Sequence, residues 1–236
     1  MTWHHQPLVG FDLETTGTDP LDARIVTAAV VVVRAGEPAE RRTWLADPGI
    51  RIPAQASAIH GISTERAAAE GRPAREVAAE IAETLAGHWA RGIPVVAYNA
   101  AFDLTLLAAE LHRHELPPLA GAGPVIDPYT IDRAVDRYRR GKRTLEAVCT
   151  EYGVALDTAH DAASDALAAA RVAIAIADRH ALVASLTPAE LHERQIRWYA
   201  DWAADFQSFL RRKGDATVVV DAEWPLRNPT AASSVA

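Results

Sequence analysis

The spacing of apolar positions divides the chain into a strand-forming opening and a helix-forming remainder. Leu8 to Glu14 reads as a strand, followed by a turn-rich segment, Thr15 to Pro20, and then by the β-branched run Ile25 to Val33, long enough for a central strand. The turn Ala35-Gly36-Glu37-Pro38 precedes a third strand expected around Arg41 to Leu45, so the opening is an antiparallel meander. From Pro73 the period changes. Val77, Ile81 and Leu85 recur every four residues, which predicts an amphipathic helix ending near Gly87. A short apolar strand, Ile93 to Tyr98, leads to a helix from Ala101 to His112 with Leu104, Leu107 and Leu111 on its inner face. After a loop over Pro117 to Pro124, helices are expected at Thr144 to Tyr152 and over the alanine-rich stretch Asp161 to His180.

Strands first and helices afterwards predict a mixed α/β domain over residues 1–182. A helical extension, 183–224, is expected to pack on it. Its helix, Pro188 to Arg212, carries Trp198, Tyr199, Trp202 and Phe206 at three- and four-residue steps, a spacing that suits docking onto a domain better than stacking on bases. The Pro-, Ala- and Ser-rich tail, 225–236, is expected to be disordered.

Composition narrows the role. A hydrophobic content of 49% in 236 residues supports a real core. There is no run of about 18 uncharged apolar residues that could span a bilayer and no basic and apolar leader at the N-terminus, so a cytoplasmic location without a membrane partner is expected. The single cysteine, Cys149, reads as a small buried hydrophobe, and no Cys/His spacing fits structural zinc. A formal charge of −7 argues against a broad duplex-wrapping surface. An enzyme that grips only a strand end through metal ions can still be acidic, because the ions supply positive charge locally.

The acids that could hold such ions are identifiable. Asp12 and Glu14 stand two apart in the first strand, so both project from one face of the sheet. Two buried like charges are costly unless a cation neutralises them, and hard divalent cations prefer oxygen ligands. Taken alone, the short and common Asp-x-Glu pattern is more readily a solvated strand end with two ordinary acids. Glu14 runs into Thr15-Thr16-Gly17, whose amides and hydroxyls can approach a phosphate or sugar. The strand ending at Tyr98 delivers Asn99-Ala100-Ala101-Phe102-Asp103, with an acid at a helix start that could equally serve the macrodipole. His160 and Asp165 lie at the entry to the alanine-rich helix; within continuous helix they would point roughly 140° apart, so His160 is expected in the preceding loop or first turn.

The series Phe11-Asp12-Leu13-Glu14-Thr15-Thr16-Gly17, Asn99-Ala100-Ala101-Phe102-Asp103, and His160 with Asp165 resembles the three exonuclease motifs of the DEDD superfamily, in its His-containing branch. The resemblance covers residues 8 to about 180, and Ile59-His60-Gly61-Ile62 is similar to a segment of the proofreading type in this branch. Tyr98 departs from the His that proofreading members often carry there. The resemblance implies a ribonuclease H-like α/β fold, with helices around a mixed five-stranded sheet. It also implies 3′-5′ exonuclease activity using two Mg²⁺ or Mn²⁺ ions. Asp12, Glu14, Asp103 and Asp165 would be the metal ligands, Glu14 and His160 would be catalytic with His160 as general base, and Thr15, Thr16, Ile59, His60, Asn99 and Phe102 would contact substrate. The expected partners are the 3′ end of a single-stranded nucleic acid, DNA favoured over RNA, and a polymerase or repair complex.

Two rivals keep part of this reading. One changes the substrate to RNA or short oligoribonucleotides, which a 2′-hydroxyl contact would distinguish. The other is a non-catalytic polymerase-accessory or nucleic-acid-binding module, suggested by Gln207-Ser208-Phe209-Leu210 and the basic stretch Arg133, Arg137, Arg139, Arg140, Lys142 and Arg143.

Overall fold

The computed structural model describes residues 2–119, 121–157 and 159–227. Six strands form one sheet in the order β4-β3-β2-β1-β5-β6. Strands β1 (Leu8–Thr15), β2 (Ile25–Arg34) and β3 (Glu37–Asp47) are the antiparallel meander. Ala35 and Gly36 join β2 to β3 with φ of 50° and 80°, the two positive values that a tight hairpin turn matched to strand twist requires. The two-residue strands β5 (Val95–Val96) and β6 (Val125–Ile126) add in parallel beyond β1. On the other edge the bridge β4 (Arg72–Pro73) makes a sixth strand where five were expected; two residues carry no periodicity to read.

Both faces of the sheet are covered, which explains the unbroken apolar run Ala28 to Val33 in β2. Val30 and Val32 join Val9, Phe11 and Leu13 against α3 (Ala74–Trp89) and α4 (Ala100–Arg113). Ala29, Val31 and Val33 face the opposite layer, made by α5 (Pro128–Val135), α6 (Leu145–Tyr152) and α7 (Ala162–Arg179). At about 25 cal/mol per Å² of apolar surface, two buried faces supply most of the driving force for folding. Cys149 is buried and free within the second layer. Two short helices, α1 (Ala54–His60) and α2 (Thr64–Glu70), close over the sheet end on a small cluster of Val26, Ile52, Ile62 and Ala67.

After α8 (Ala181–Ser185), the long helix α9 (Pro188–Arg212) begins with a Thr187–Glu190 capping box and Pro188 in its first turn. It buries Leu191, Gln195, Tyr199 and Ala203 and leaves Phe206 and Phe209 exposed. Most of the tail expected to be disordered, residues 228–236, lies outside the described residues. Its first residues, Pro225 to Arg227, are ordered instead. Trp224 is buried and Leu226 packs on the core, while Arg227 N donates to Thr105 Oγ1 at 2.9 Å. Among the described residues no helix is long and apolar enough to cross a membrane.

Candidate active site

The site forms where β1 runs past its neighbours. Even-numbered residues of β1 face α7, and the approach is close because Gly10 has no side chain: a Cβ there would stand 2.2 Å from the carbonyl oxygen of Ala166. Asp12 and Glu14 continue this face toward the N-terminal end of α7, where Asp165 occupies the first turn. Pairing with β5 reaches only Val9 and Gly10, so the amide of Leu13 lacks a strand partner on that edge. It donates to Asp103 Oδ1 at 3.2 Å. Asp103, in the first turn of α4, is thereby fixed beside the end of β1.

The turn that aims α4 is held by an acid that sequence reasoning missed. Asn99 adopts a left-handed conformation, with φ 65° and ψ 48°. The Asp127 carboxylate accepts from Asn99 N at 2.9 Å and Ala100 N at 3.2 Å, and also from Trp224 Nε1 at 3.2 Å. Asp127 is fully buried and caps α5 through Tyr129 N and Thr130 N. One signal for it exists in the sequence: Asp127-Pro128, an N-cap acid before proline.

His160 sits ahead of α7, as its spacing from Asp165 requires. Its φ is 64°, its side chain is exposed, and its amide donates to Asp165 Oδ2 at 3.1 Å. Asp161 caps the helix through Ser164 N at 2.9 Å. Ligand-capable atoms of Glu14, His160 and Asp165 all lie within 4.8 Å of one another.

This crowding dominates the electrostatics. Burial, and then the charges of Asp103, Asp165 and Glu14, push the Asp12 carboxyl well above the ordinary range. Burial, with Asp165 and Asp161 nearby, raises Glu14 to about 7. Asp103 and Asp165 are raised as well, chiefly by burial. The Oδ1 atom of Asp165 is buried with no hydrogen-bond partner. Anionic oxygens that repel one another and leave a lone pair unspent fit divalent cations.

The remaining predicted residues divide. Thr15 stands at the strand end, its hydroxyl donating to Gly17 O at 2.7 Å. Thr16 is buried, and its hydroxyl accepts from Arg24 N at 2.9 Å, so its side chain shapes the loop. His60 ends α1 facing Thr15 and His160, and burial lowers its pKa. Its Nδ1 accepts from Ile62 N at 3.2 Å while Nε2 is buried without a partner. Ile59 beside it is 55% exposed, a large apolar surface at the rim. Phe102 is half-buried against the core, and Asn99 is engaged through its backbone.

Residues 9–173 match the family model described as exonuclease. The chain is 33% identical over 165 residues to the PolC-type DNA polymerase III of Streptococcus thermophilus, covering 70% of this chain and 11% of that protein. The corresponding protein of Streptococcus agalactiae is 31% identical over 173 residues, 73% of this chain and again 11% of the relative. The chain thus spans about a tenth of the length of the curated relatives it matches. Among solved structures, E. coli exonuclease I in complex with a dA16 oligonucleotide superposes with a TM-score of 0.63 at 20% identity, over 75% of this chain and 42% of that one. Exonuclease I from Methylocaldum szegediense gives 0.64 at 23% identity, over 84% and 46%. At these identities the likeness is one of fold.

Proposed function

Because the chain belongs to the exonuclease family, and its five converging residues all lie inside the matched segment, we propose that it hydrolyses single-stranded DNA from the 3′ end. The products are nucleoside monophosphates. The observation that carries the reading is the convergence of Asp12, Glu14, Asp103 and Asp165, each raised from its ordinary carboxylate pKa chiefly by burial, with one oxygen of Asp165 buried and unspent. Such a cluster is neutralised at neutral pH by holding protons, as the raised carboxyls do, or by binding cations. An all-oxygen set suits Mg²⁺ or Mn²⁺, and two ions bound by these four carboxylates would supply Lewis acidity and charge neutralisation at the scissile phosphate.

The chain's own groups do the rest. His160, exposed on its left-handed turn, takes a proton from the attacking water, and its amide bond to Asp165 keeps it beside that carboxylate. Thr15 and the amides around it hold the terminal sugar and phosphate. Ile59, His60 and Phe102 flank the last base. DNA is favoured over RNA because the relatives' names and bound oligonucleotides are those of DNA enzymes. The polymerase context of the curated relatives makes a replication or repair complex the expected partner.

The test is digestion of 5′-labelled single-stranded DNA and RNA of matched sequence with Mg²⁺ or Mn²⁺, beside metal-free and Asp12→Ala controls. A ladder shortening from the 3′ end, faster on DNA and absent in both controls, is expected. No cleavage of either strand with either metal overturns the reading.

A further inference from the structure

A second feature lies on the far side of the loop that borders the site. Between α5, residues 136–143 and α9 is a cavity of about 430 Å³, lined by Tyr129, Arg133, Gly141, Arg143, Trp198 and Trp202 among others. The basic stretch that walls it is not uniformly solvated. Arg139 and Arg143 pair with the buried carboxylate of Asp132, and Arg137 pairs with Asp205. Arg133 is different. Its guanidinium is 3.5 Å from the centre of the Trp202 ring and 4.7 Å from that of Tyr129. Among the described residues it makes neither an ion pair nor a hydrogen bond. A half-buried guanidinium between two rings, with all its donors unspent, is preorganised for a bidentate anion such as phosphate.

The surroundings suit the rest of a nucleotide. Trp202, Phe206 and Phe209 form a ladder of nearly parallel rings along α9, with centroids 5.4 and 6.4 Å apart and interplanar angles of 17° and 14°. Phe206, Phe209 and especially Tyr138, which is 87% exposed, are open to solvent. Exposed aromatic rings beside free cations are the equipment of single-strand binding. The cavity borders the cleft of the candidate active site, with the 141–143 segment between them. Lys142 lines the neighbouring cleft that contains His160 and Asp165, whereas Gly141 and Arg143, on either side of it, line the arginine cavity. Tyr98, just before the Asn99 turn, donates its hydroxyl to Arg143 O at 2.7 Å and ties this partition to the site. Asp201 and Asp205 also line the cavity; Asp205 is neutralised by Arg137, and Asp201 is exposed.

We propose that this cavity is a second subsite for the same strand: Arg133 binds a backbone phosphate several nucleotides 5′ of the end being cleaved, and the aromatic residues stack on the adjoining bases. The inference rests on the nuclease reading for what occupies the neighbouring cleft. It explains how an acidic chain retains a strand between cleavage steps, with one unspent arginine and a stacking surface in place of a broad basic face.

The test measures binding and turnover separately. Fluorescence anisotropy in an Asp12→Asn background, without cleavage, compares a trinucleotide with a strand of about 16 nucleotides, the upper end of common single-strand site sizes. Arg133→Gln is expected to weaken the long strand about ten-fold and leave the trinucleotide unchanged, with KM raised and kcat kept on the long substrate. Because Arg133 packs between rings, Tyr138→Ala serves as a second variant; it should weaken the long strand about five-fold at unchanged Tm. Long-strand affinity unaltered in both variants, or equal losses for short and long strands, overturns the subsite. If the parent chain binds the long strand through Arg133 yet never cleaves it, the subsite stands and the nuclease reading fails. If it cleaves normally and both variants match it in KM and affinity, only the subsite fails.

Discussion

Gly10 and Ala166 are in backbone contact: any side chain at Gly10 would begin 2.2 Å from the Ala166 carbonyl oxygen. This contact sets how deeply α7 seats on β1, and the residue before Ala166 is Asp165, which faces Glu14. Gly10→Ala must therefore push α7 outward. Overpacking of this kind costs about 1–3 kcal/mol, and a displacement near 1 Å at a reacting centre costs on the order of a hundred-fold in rate. Denaturant melts and nuclease assays on the folded variant check both. Unchanged stability and turnover would mean that α7 does not depend on this contact for its seat.

Asp12 is strained by what makes it useful. Its charge is opposed by burial and by four neighbouring acids, Asp103, Asp165, Glu14 and Asp161. Asp12→Asn removes one of the mutually repelling charges at nearly constant shape. In metal-free buffer the variant is expected to melt at a higher temperature than the parent, by a few degrees for about 1 kcal/mol, while its turnover falls at least about a hundred-fold. Calorimetry with parallel nuclease assays decides the matter. A lower metal-free Tm would show that Asp12 is held by favourable contacts and not tolerated for function.

The same repulsion gives metal binding a pH dependence of known sign. Glu14 titrates near 7 in the folded, metal-free protein and near 4.5 in an unperturbed carboxyl, so between these values the folded state holds more protons than the unfolded one. Its contribution to stability is therefore lost as pH rises through that window. Cations compete with those protons. The rise in Tm produced by Mn²⁺ is expected to be larger at pH 8 than at pH 5, as thermal melts with and without metal would show. An equal rise at both values would place the bound ion away from Glu14.

How much of this was legible in the sequence depends on the length scale of each feature. Asp12 and Glu14 were readable because a strand's period of two needs only three residues to show, and His160 because its offset from Asp165 forbade a shared helical face. The long helices were readable from repeated turns. The bridges β4 and β6 were not, since two residues have no period. Helices α1 and α2, seven residues each, were passed over although Ser63 caps the second. Asp127 was hidden for another reason: its importance lies in partners far along the chain, the Asn99 turn and Trp224. In the sequence the basic stretch suggests a nucleic-acid-binding surface, whereas Asp132 within it is buried and draws Arg139 and Arg143 inward. Packing partners of that kind follow from the fold and not from local pattern.

His160 occupies the left-handed region, with φ at 64°, where Asn, Asp and His are found more often than other residues that carry side chains, and it is exposed at the edge of the cleft. Its amide donates a hydrogen bond to Asp165, which keeps it beside that carboxylate, as the proposed general base requires. His160→Gly relieves the backbone and leaves a solvent-accessible gap where the ring stood. Turnover is expected to fall by about two to four orders of magnitude, while the Mn²⁺-induced rise in Tm is retained because the four carboxylates remain. Added imidazole should restore part of the rate by occupying the gap. Single-turnover assays with and without imidazole, beside melts with and without Mn²⁺, separate the alternatives. Near-normal turnover in the variant removes His160 from the proton path. Loss of the metal-induced shift, with no rescue, would instead make His160 a ligand alongside Glu14 and Asp165, whose ligand-capable atoms lie within 4.8 Å of its own.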